Sequence, residues 1–141
     1  MSRFVLDCSI TLAWVFPDEI SPDADAIRRR LYNDAAVVPS LWRLEVSNGL
    51  TLGERKGRFE AGKIRDFLSL LSSLPIEIDG TASERALGPV LELARQERLT
   101  AYDAAYLDLA ITRGVGLATA DRALAAAAQR RGVTLVDGKG F

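Results

Sequence analysis

The chain contains no histidine. That excludes histidine-based nucleophilic triads and His-ligated zinc sites. Acid–base chemistry near neutral pH is left to carboxylates, lysine, tyrosine or metal-activated water. There is one cysteine, Cys8, so no internal disulfide and no cysteine-rich zinc site can form, and a reducing cytosol is compatible with that count. Neither sign of charge dominates: 18 Lys and Arg stand against 19 Asp and Glu, a net charge of −1. The protein as a whole has no pull on nucleic acid or an anionic membrane, and binding a polyanion would need local basic patches or bound metal. No stretch approaches the roughly 20 apolar residues of a membrane span. Asp7, then Asp18-Glu19, interrupt the N-terminus too early for a secretory signal. A cytoplasmic protein without membrane association is expected.

What remains is ordinary globular material: 141 residues, 48% hydrophobic and 26% charged, enough for one domain over 1–141 with its own core. There is no internal repeat, linker or low-complexity stretch. Short apolar runs at 4–6, 36–38, 76–78, 115–119 and 134–136 read as strands. Helices are expected at 9–16 with Ser9 as N-cap and Pro17 as stop, from Ser21-Pro22 onward, and at 41–56 and 59–73. Further helices are expected at 82–97 with a kink at Gly88-Pro89, at 101–113 capped by Thr100, and at 121–131. Alternating strands and helices predict an α/β sandwich around a mainly parallel sheet of about five short strands. Such sheets bind ligands beyond the carboxyl ends of their strands, near the topological switch point.

Four acids stand in hydrophobic settings on that edge. Asp7 ends the first strand and Asp121 follows the strand at 115–119. Glu45 shares a helical stripe with Leu41, Trp42, Gly49 and Leu52, and Asp103 shares one with Leu107, Ala110 and Ile111. Buried carboxylates are costly without a partner, and a hard divalent cation would hold four together economically. Taken singly, each acid has a plainer role. Asp7 and Asp121 could cap helices, and Glu45 and Asp103 could serve a helix dipole.

Other residues carry less. Asp108, five positions after Asp103, is expected at the surface, and Asp79 and Asp137 in turns. Trp14 and Trp42 suit a core or an interface, Arg28-Arg29-Arg30 a solvated face, and Cys8 a small buried site.

Asp7-Cys8-Ser9, Ala13-Trp14-Val15-Phe16-Pro17-Asp18-Glu19 and Leu44-Glu45-Val46-Ser47-Asn48-Gly49-Leu50 form three early motifs. Ala101-Tyr102-Asp103-Ala104-Ala105-Tyr106 and Leu117-Ala118-Thr119-Ala120-Asp121 form two later ones. In this order, and across almost the whole chain, they resemble PIN-domain proteins of the VapC toxin type. The resemblance implies a three-layer α/β/α fold and a Mg²⁺- or Mn²⁺-dependent endoribonuclease, the toxin of a two-gene toxin–antitoxin pair. It assigns Asp7, Glu45, Asp103 and Asp121 to an acidic quartet that binds metal and catalyses cleavage. It gives Ser9 and Thr119 the hydroxyl positions of the first and last motifs, and makes Asn48 a residue orienting the glutamate or a water. It implies RNA as substrate, a homodimer, and an antitoxin whose C-terminal segment blocks the cleft. Arg28, Arg43 and Arg122 are candidates for phosphate contacts.

Rival readings fit less well. A haloacid-type phosphatase needs a second acid two residues after the strand-end aspartate, where this chain has Ser9. A phosphoacceptor receiver domain needs an acidic pair after its first strand and a late lysine, and Asp7-Cys8 and Lys139 match poorly. The alternative kept is an inert PIN-like scaffold that binds RNA or protein without cutting.

Overall fold

Four of the apolar runs lie side by side. A computed structural model describes residues 2–16, 18 and 22–137. In it β1 (Arg3–Leu6), β2 (Ala35–Pro39), β3 (Ile76–Asp79) and β4 (Gly116–Ala118) form one parallel sheet in the order β3-β2-β1-β4. Phe4, Val5, Leu6, Ala36, Val37 and Val38 are wholly buried, the unbroken apolar pattern of parallel strands covered on both faces. The α/β class and parallel sheet therefore stand as expected, with helices flanking the strands.

The helices are α1 (Cys8–Ala13), α2 (Pro22–Arg30), α3 (Leu41–Arg55), α4 (Ala61–Ser73), α5 (Ala82–Arg85), α6 (Leu91–Glu97), α7 (Ala101–Arg113) and α8 (Arg122–Arg130). A single π-helical turn, Ala86–Val90, joins α5 to α6, and Gly88 leaves helical geometry there (φ −122°, ψ −106°). This is the kink expected at Gly88-Pro89, since proline has no N–H to continue the ladder. α7 packs against β1, β2 and β4 and is buried almost continuously from Ala104 to Ala110.

Several expectations need correction. The fifth strand shrinks to a single parallel bridge, Leu117↔Leu135, held by Leu117 N–H to the Thr134 carbonyl and Val136 N–H to the Leu117 carbonyl, each 2.9 Å. The chain reaches this bridge through a turn at Gly132 (φ 73°). The first helix ends at Ala13, and Asp7, not Ser9, holds its N-cap position. The inward stripe of α3 is Trp42, Val46, Leu50 and Gly53, so Glu45 sits on its flank, half-buried, and Leu52 is exposed. Ile111 is likewise exposed, while Leu107 and Ala110 are buried. Pro17, Glu19, Ser21 and Lys139 lie outside the described residues.

The sheet order decides where a ligand can enter. From β1 the chain builds one way through β2 to β3, then returns to place β4 on the other side of β1. The switch point is between β1 and β4. Asp7 follows the first of these strands and Thr119, Ala120 and Asp121 follow the second. The Asp7 N–H donates to the Ala118 carbonyl at 2.9 Å, so the pairing runs to the very edge.

Gly116 admits the returning chain. A Cβ there would lie 2.9 Å from Val136 Cγ2 and 3.0 Å from the Thr134 carbonyl oxygen. A Cβ on Gly62, in α4, would meet nothing within 4 Å. Gly116→Ala should therefore destabilise the fold by about 1–3 kcal/mol through overpacking. Gly62→Ala should be neutral or stabilising by up to about 1 kcal/mol. Urea melts of the two variants check this; equal midpoints would contradict the close approach at Gly116.

Candidate active site

Asp7 is buried, 4% exposed, and its carboxylate is fixed by hydroxyls. Ser9 donates to Asp7 Oδ2 at 2.8 Å and Thr119 donates to the same oxygen at 2.6 Å. Each hydroxyl oxygen also accepts a backbone amide of the opposite loop or its own. Ala120 N–H donates to Ser9 Oγ at 2.9 Å, and Asp121 N–H donates to Thr119 Oγ1 at 3.0 Å. A four-residue knot thus ties the end of β1 to the end of β4. Asp121 caps α8, accepting from Leu124 N–H at 2.9 Å, so the capping role open to it from sequence is filled. Asp103 lies in the first turn of α7, behind the Thr100 cap that accepts its N–H at 3.1 Å. Glu45, on α3, accepts a hydrogen bond from the Tyr106 hydroxyl at 2.5 Å.

Three of the four acids are raised by burial and by the charge of their neighbours. Burial raises the Asp7 carboxyl above its usual range; Thr119 and Ser9 offset part of this, and Asp121 adds to it. Burial also raises Glu45, against the Tyr106 hydrogen bond and with Asp7 and Asp103 pushing the same way. Burial, then the charges of Asp7 and Asp121, push Asp103 up to about 6. Asp103 enjoys the positive end of α7, worth a few tenths to about 1 kcal/mol, so desolvation and like charge win over the helix dipole there. Burial, then the Glu45 hydrogen bond, hold the Tyr106 phenol above its ordinary range, so it stays protonated and donates.

The rest of the molecule treats its acids differently. Every other described Asp or Glu that is buried or half-buried has an arginine: Asp25 with Arg28, Asp34 with Arg30, Glu77 with Arg3, Asp79 with Arg113, Glu97 with Arg130 and Arg131, and Asp108 with Arg85, at 2.7–3.3 Å. Asp7, Glu45, Asp103 and Asp121 make no such pair among the described residues. No cationic side chain among the described residues neutralises their charge by an ion pair. The donors are hard oxygens, which suit Mg²⁺ or Mn²⁺ better than zinc. Among the described residues no group of three or more Asp, Glu or Cys side chains is arranged so that it could hold a metal ion. Mg²⁺ keeps several waters and is commonly held by one or two carboxylates, so the donor set fits an ion of that kind.

Comparison with known proteins identifies the family and the fold. The family model of the PIN domain matches residues 4–135. The chain belongs to the PIN-domain family. The crystal structure of PAE2754 from Pyrobaculum aerophilum is 28% identical and superposes with a TM-score of 0.69, over 96% of this chain and 91% of that one. No curated protein matches the sequence.

Within this PIN domain, some residues sit otherwise than the sequence predicts. Asp108 is buried and paired to Arg85 through two hydrogen bonds of 2.7 and 3.1 Å, not at the surface. Asp79 does form a turn, accepting from Thr81 N–H at 2.8 Å, but is also buried against Arg113. Arg28, Arg29 and Arg30 are engaged by Asp25 and Asp34 on or next to their own helix. Asn48 is exposed and, among the described residues, its side chain hydrogen-bonds to none of the four acids; its carbonyl accepts from the Thr51 hydroxyl. Glu45 is held instead by Tyr106, which the sequence reading passed over. The signal was its place three residues after Asp103, one turn along the same helix. Trp42 is buried, donating to Thr11 Oγ1 at 3.0 Å, and Trp14 donates to the Ala24 carbonyl at 2.8 Å, both as core residues. Cys8 is buried, its thiol raised by burial and by Glu45 and Asp7.

The raised acids set a pH dependence. Asp103 titrates at about 6 in the fold against a usual 3.8, so the folded chain holds a proton that the unfolded chain has lost. Stability then falls as pH rises between those values, and the upward shifts of Asp7 and Glu45 act in the same sense. Without divalent ions, Asp103→Asn should be more stable than the wild type near pH 7 by about 1 kcal/mol, a figure discounted for a half-exposed group. Near pH 4 the difference should vanish. Thermal melts across this range decide; an Asn variant that melts lower at neutral pH would contradict the repulsion.

Proposed function

We propose that this PIN domain is a Mg²⁺- or Mn²⁺-dependent endoribonuclease, the toxin of a type II toxin–antitoxin pair of the VapC kind. One observation carries the reading: at the switch point of the sheet stand four acids without arginines, in a protein that pairs all its other described buried and half-buried acids. Asp7, Glu45, Asp103 and Asp121 would hold the ion. When bound, it supplies charge neutralisation for an incoming phosphodiester and Lewis-acid activation of water. The chain's own part is to hold and orient. Ser9 and Thr119 lock Asp7 Oδ2, leaving Oδ1 engaged by neither hydroxyl. Asp121, fixed as a cap, adds charge beside Asp7 and Asp103. Asn48, exposed one turn after Glu45, is free to bind water or RNA. Arg43 and Arg122 are exposed beside Glu45 and Asp121 in sequence and would meet phosphates. Hydrolysis by water leaves a 5′-phosphate and a 3′-hydroxyl, and needs no protein nucleophile, as suits a chain without histidine.

Two apolar features support protein partners. An apolar groove of about 330 Å³ between α3 and α4 is lined by Trp42, Val46, Leu50, Ile64, Leu68 and Leu71, a shape that suits an amphipathic antitoxin segment. Leu44, Leu87, Leu91 and Tyr102 are large and exposed, consistent with a homodimer face. The chain is proposed to act as one domain in the cytoplasm; among the described residues no helix is long and apolar enough to cross a membrane. An inert scaffold that binds RNA or protein without cutting draws support from the finding that, among the described residues, no three acidic or cysteine side chains are arranged to hold a metal ion.

Purified protein incubated with cellular RNA and Mn²⁺ or Mg²⁺ should produce internal cuts, and a chelator should stop them. Asp7→Asn and Asp103→Asn should each lower the rate on the order of 100-fold or more while remaining folded. RNA left intact by the wild type in both metals would favour the scaffold. Equal cutting by wild type and Asp103→Asn would sink the assigned site.

A further inference from the structure

The Tyr106 side chain is fully buried in the middle of α7. A buried hydroxyl needs a partner, and this one donates to Glu45 Oε1, from a helix 61 residues away in sequence. Three features make the contact more than a convenient satisfaction. The donor is neutral, so it orients the carboxylate without cancelling its charge, unlike the arginines that serve the other buried acids. It binds one oxygen, leaving Glu45 Oε2 outside the contact. It also rises from the helix that carries Asp103, one turn further on, so one rigid element sets the place of one acid and the direction of another. A second buried link fixes α3 on its other side: Trp42, three residues before Glu45, donates to Thr11 Oγ1 of α1, which donates to the Asp7 carbonyl at 3.4 Å.

From this geometry we infer that Tyr106 is a positioning residue, which aims Glu45 at the divalent ion and so sets the affinity for that ion. The inference rests on the metal-dependent reading of the four acids. Groups that orient a metal-binding side chain are worth on the order of 10- to 100-fold in affinity.

The test is Mn²⁺ binding to the full chain, followed by the paramagnetic resonance of the free ion. Tyr106→Phe should bind Mn²⁺ about 10-fold more weakly than the wild type. In a Glu45→Gln background the same change should have no effect on affinity. A purely structural tyrosine would lower the melting temperature and leave the Mn²⁺ affinity where it was. Should Tyr106→Phe fail to fold, a Tyr32→Phe/Tyr102→Phe chain retains Tyr106 as its one phenol, since the protein has three tyrosines. Its near-ultraviolet absorption should then change on addition of Mn²⁺. Equal affinity in wild type and Tyr106→Phe, or a phenol blind to the ion, would overturn the inference while the metal reading stands. No Mn²⁺ binding by the wild type would overturn both.

Discussion

The hydroxyls of Ser9 and Thr119 on a single oxygen of Asp7 are the contact on which the rest of the site depends. Asp7 and Thr119 are 112 residues apart, and only the return of the chain to place β4 beside β1 brings them together. Each hydroxyl spends its one proton on Asp7 and takes a backbone amide in exchange, from Ala120 or Asp121. The amides that would otherwise face the opening of the sheet are thereby satisfied, and the loop into α8 is locked to the loop into α1. This arrangement stabilises a buried carboxylate without supplying a positive charge. Its two donors offset desolvation only in part, since Asp7 remains above the usual carboxylate range.

That partial compensation is specific to one region. Arginine pairs neutralise the acids on the far edges and between helices, as with Asp79 beside Arg113 at the end of β3 and Glu97 held by Arg130 and Arg131 of α8. The chain has arginine in plenty and places exposed ones, Arg43 and Arg122, within two residues of the unpaired acids. Their guanidinium groups do not close on Glu45 or Asp121. Acids perturbed by desolvation and by one another's charge mark a candidate functional site. The core supplies the stability that such a group costs, with Phe4, Leu6, Val37, Leu107, Leu117 and Leu124 all buried around it.

The sequence was most readable where local rules apply. Strand ends located Asp7 and Asp121, the Thr100 cap marked the start of α7, and Gly88-Pro89 marked the break before α6. Reading failed where burial depends on distant segments. Asp108 does turn away from Asp103, but α7 is buried nearly all round, and its partner Arg85 lies 23 residues upstream on another helix. The stretch at 134–136 has strand composition, yet only Leu135 finds a partner on β4. The helical stripe proposed for Glu45 was displaced, because Trp42, Val46 and Leu50 take the inward face and leave the glutamate on the shoulder. Pattern alone gives a period, and the packing neighbour decides its phase.

α7 shows how one helix can serve both ends of this balance. Its first turn presents Asp103, unpaired, to the edge where β1 and β4 part. One turn on, Tyr106 reaches across to Glu45. Beyond it Asp108 takes Arg85, and at the last turn Arg113 takes Asp79. Charge is left open at the N-terminal end and closed everywhere else along the same element. A helix free to shift would exchange these partners. This one is pinned by its contacts with β1, β2 and β4 and by two arginine pairs further along the helix. The rigid, neutralised half of α7 is therefore what permits the other half to carry an acid that has no partner of its own.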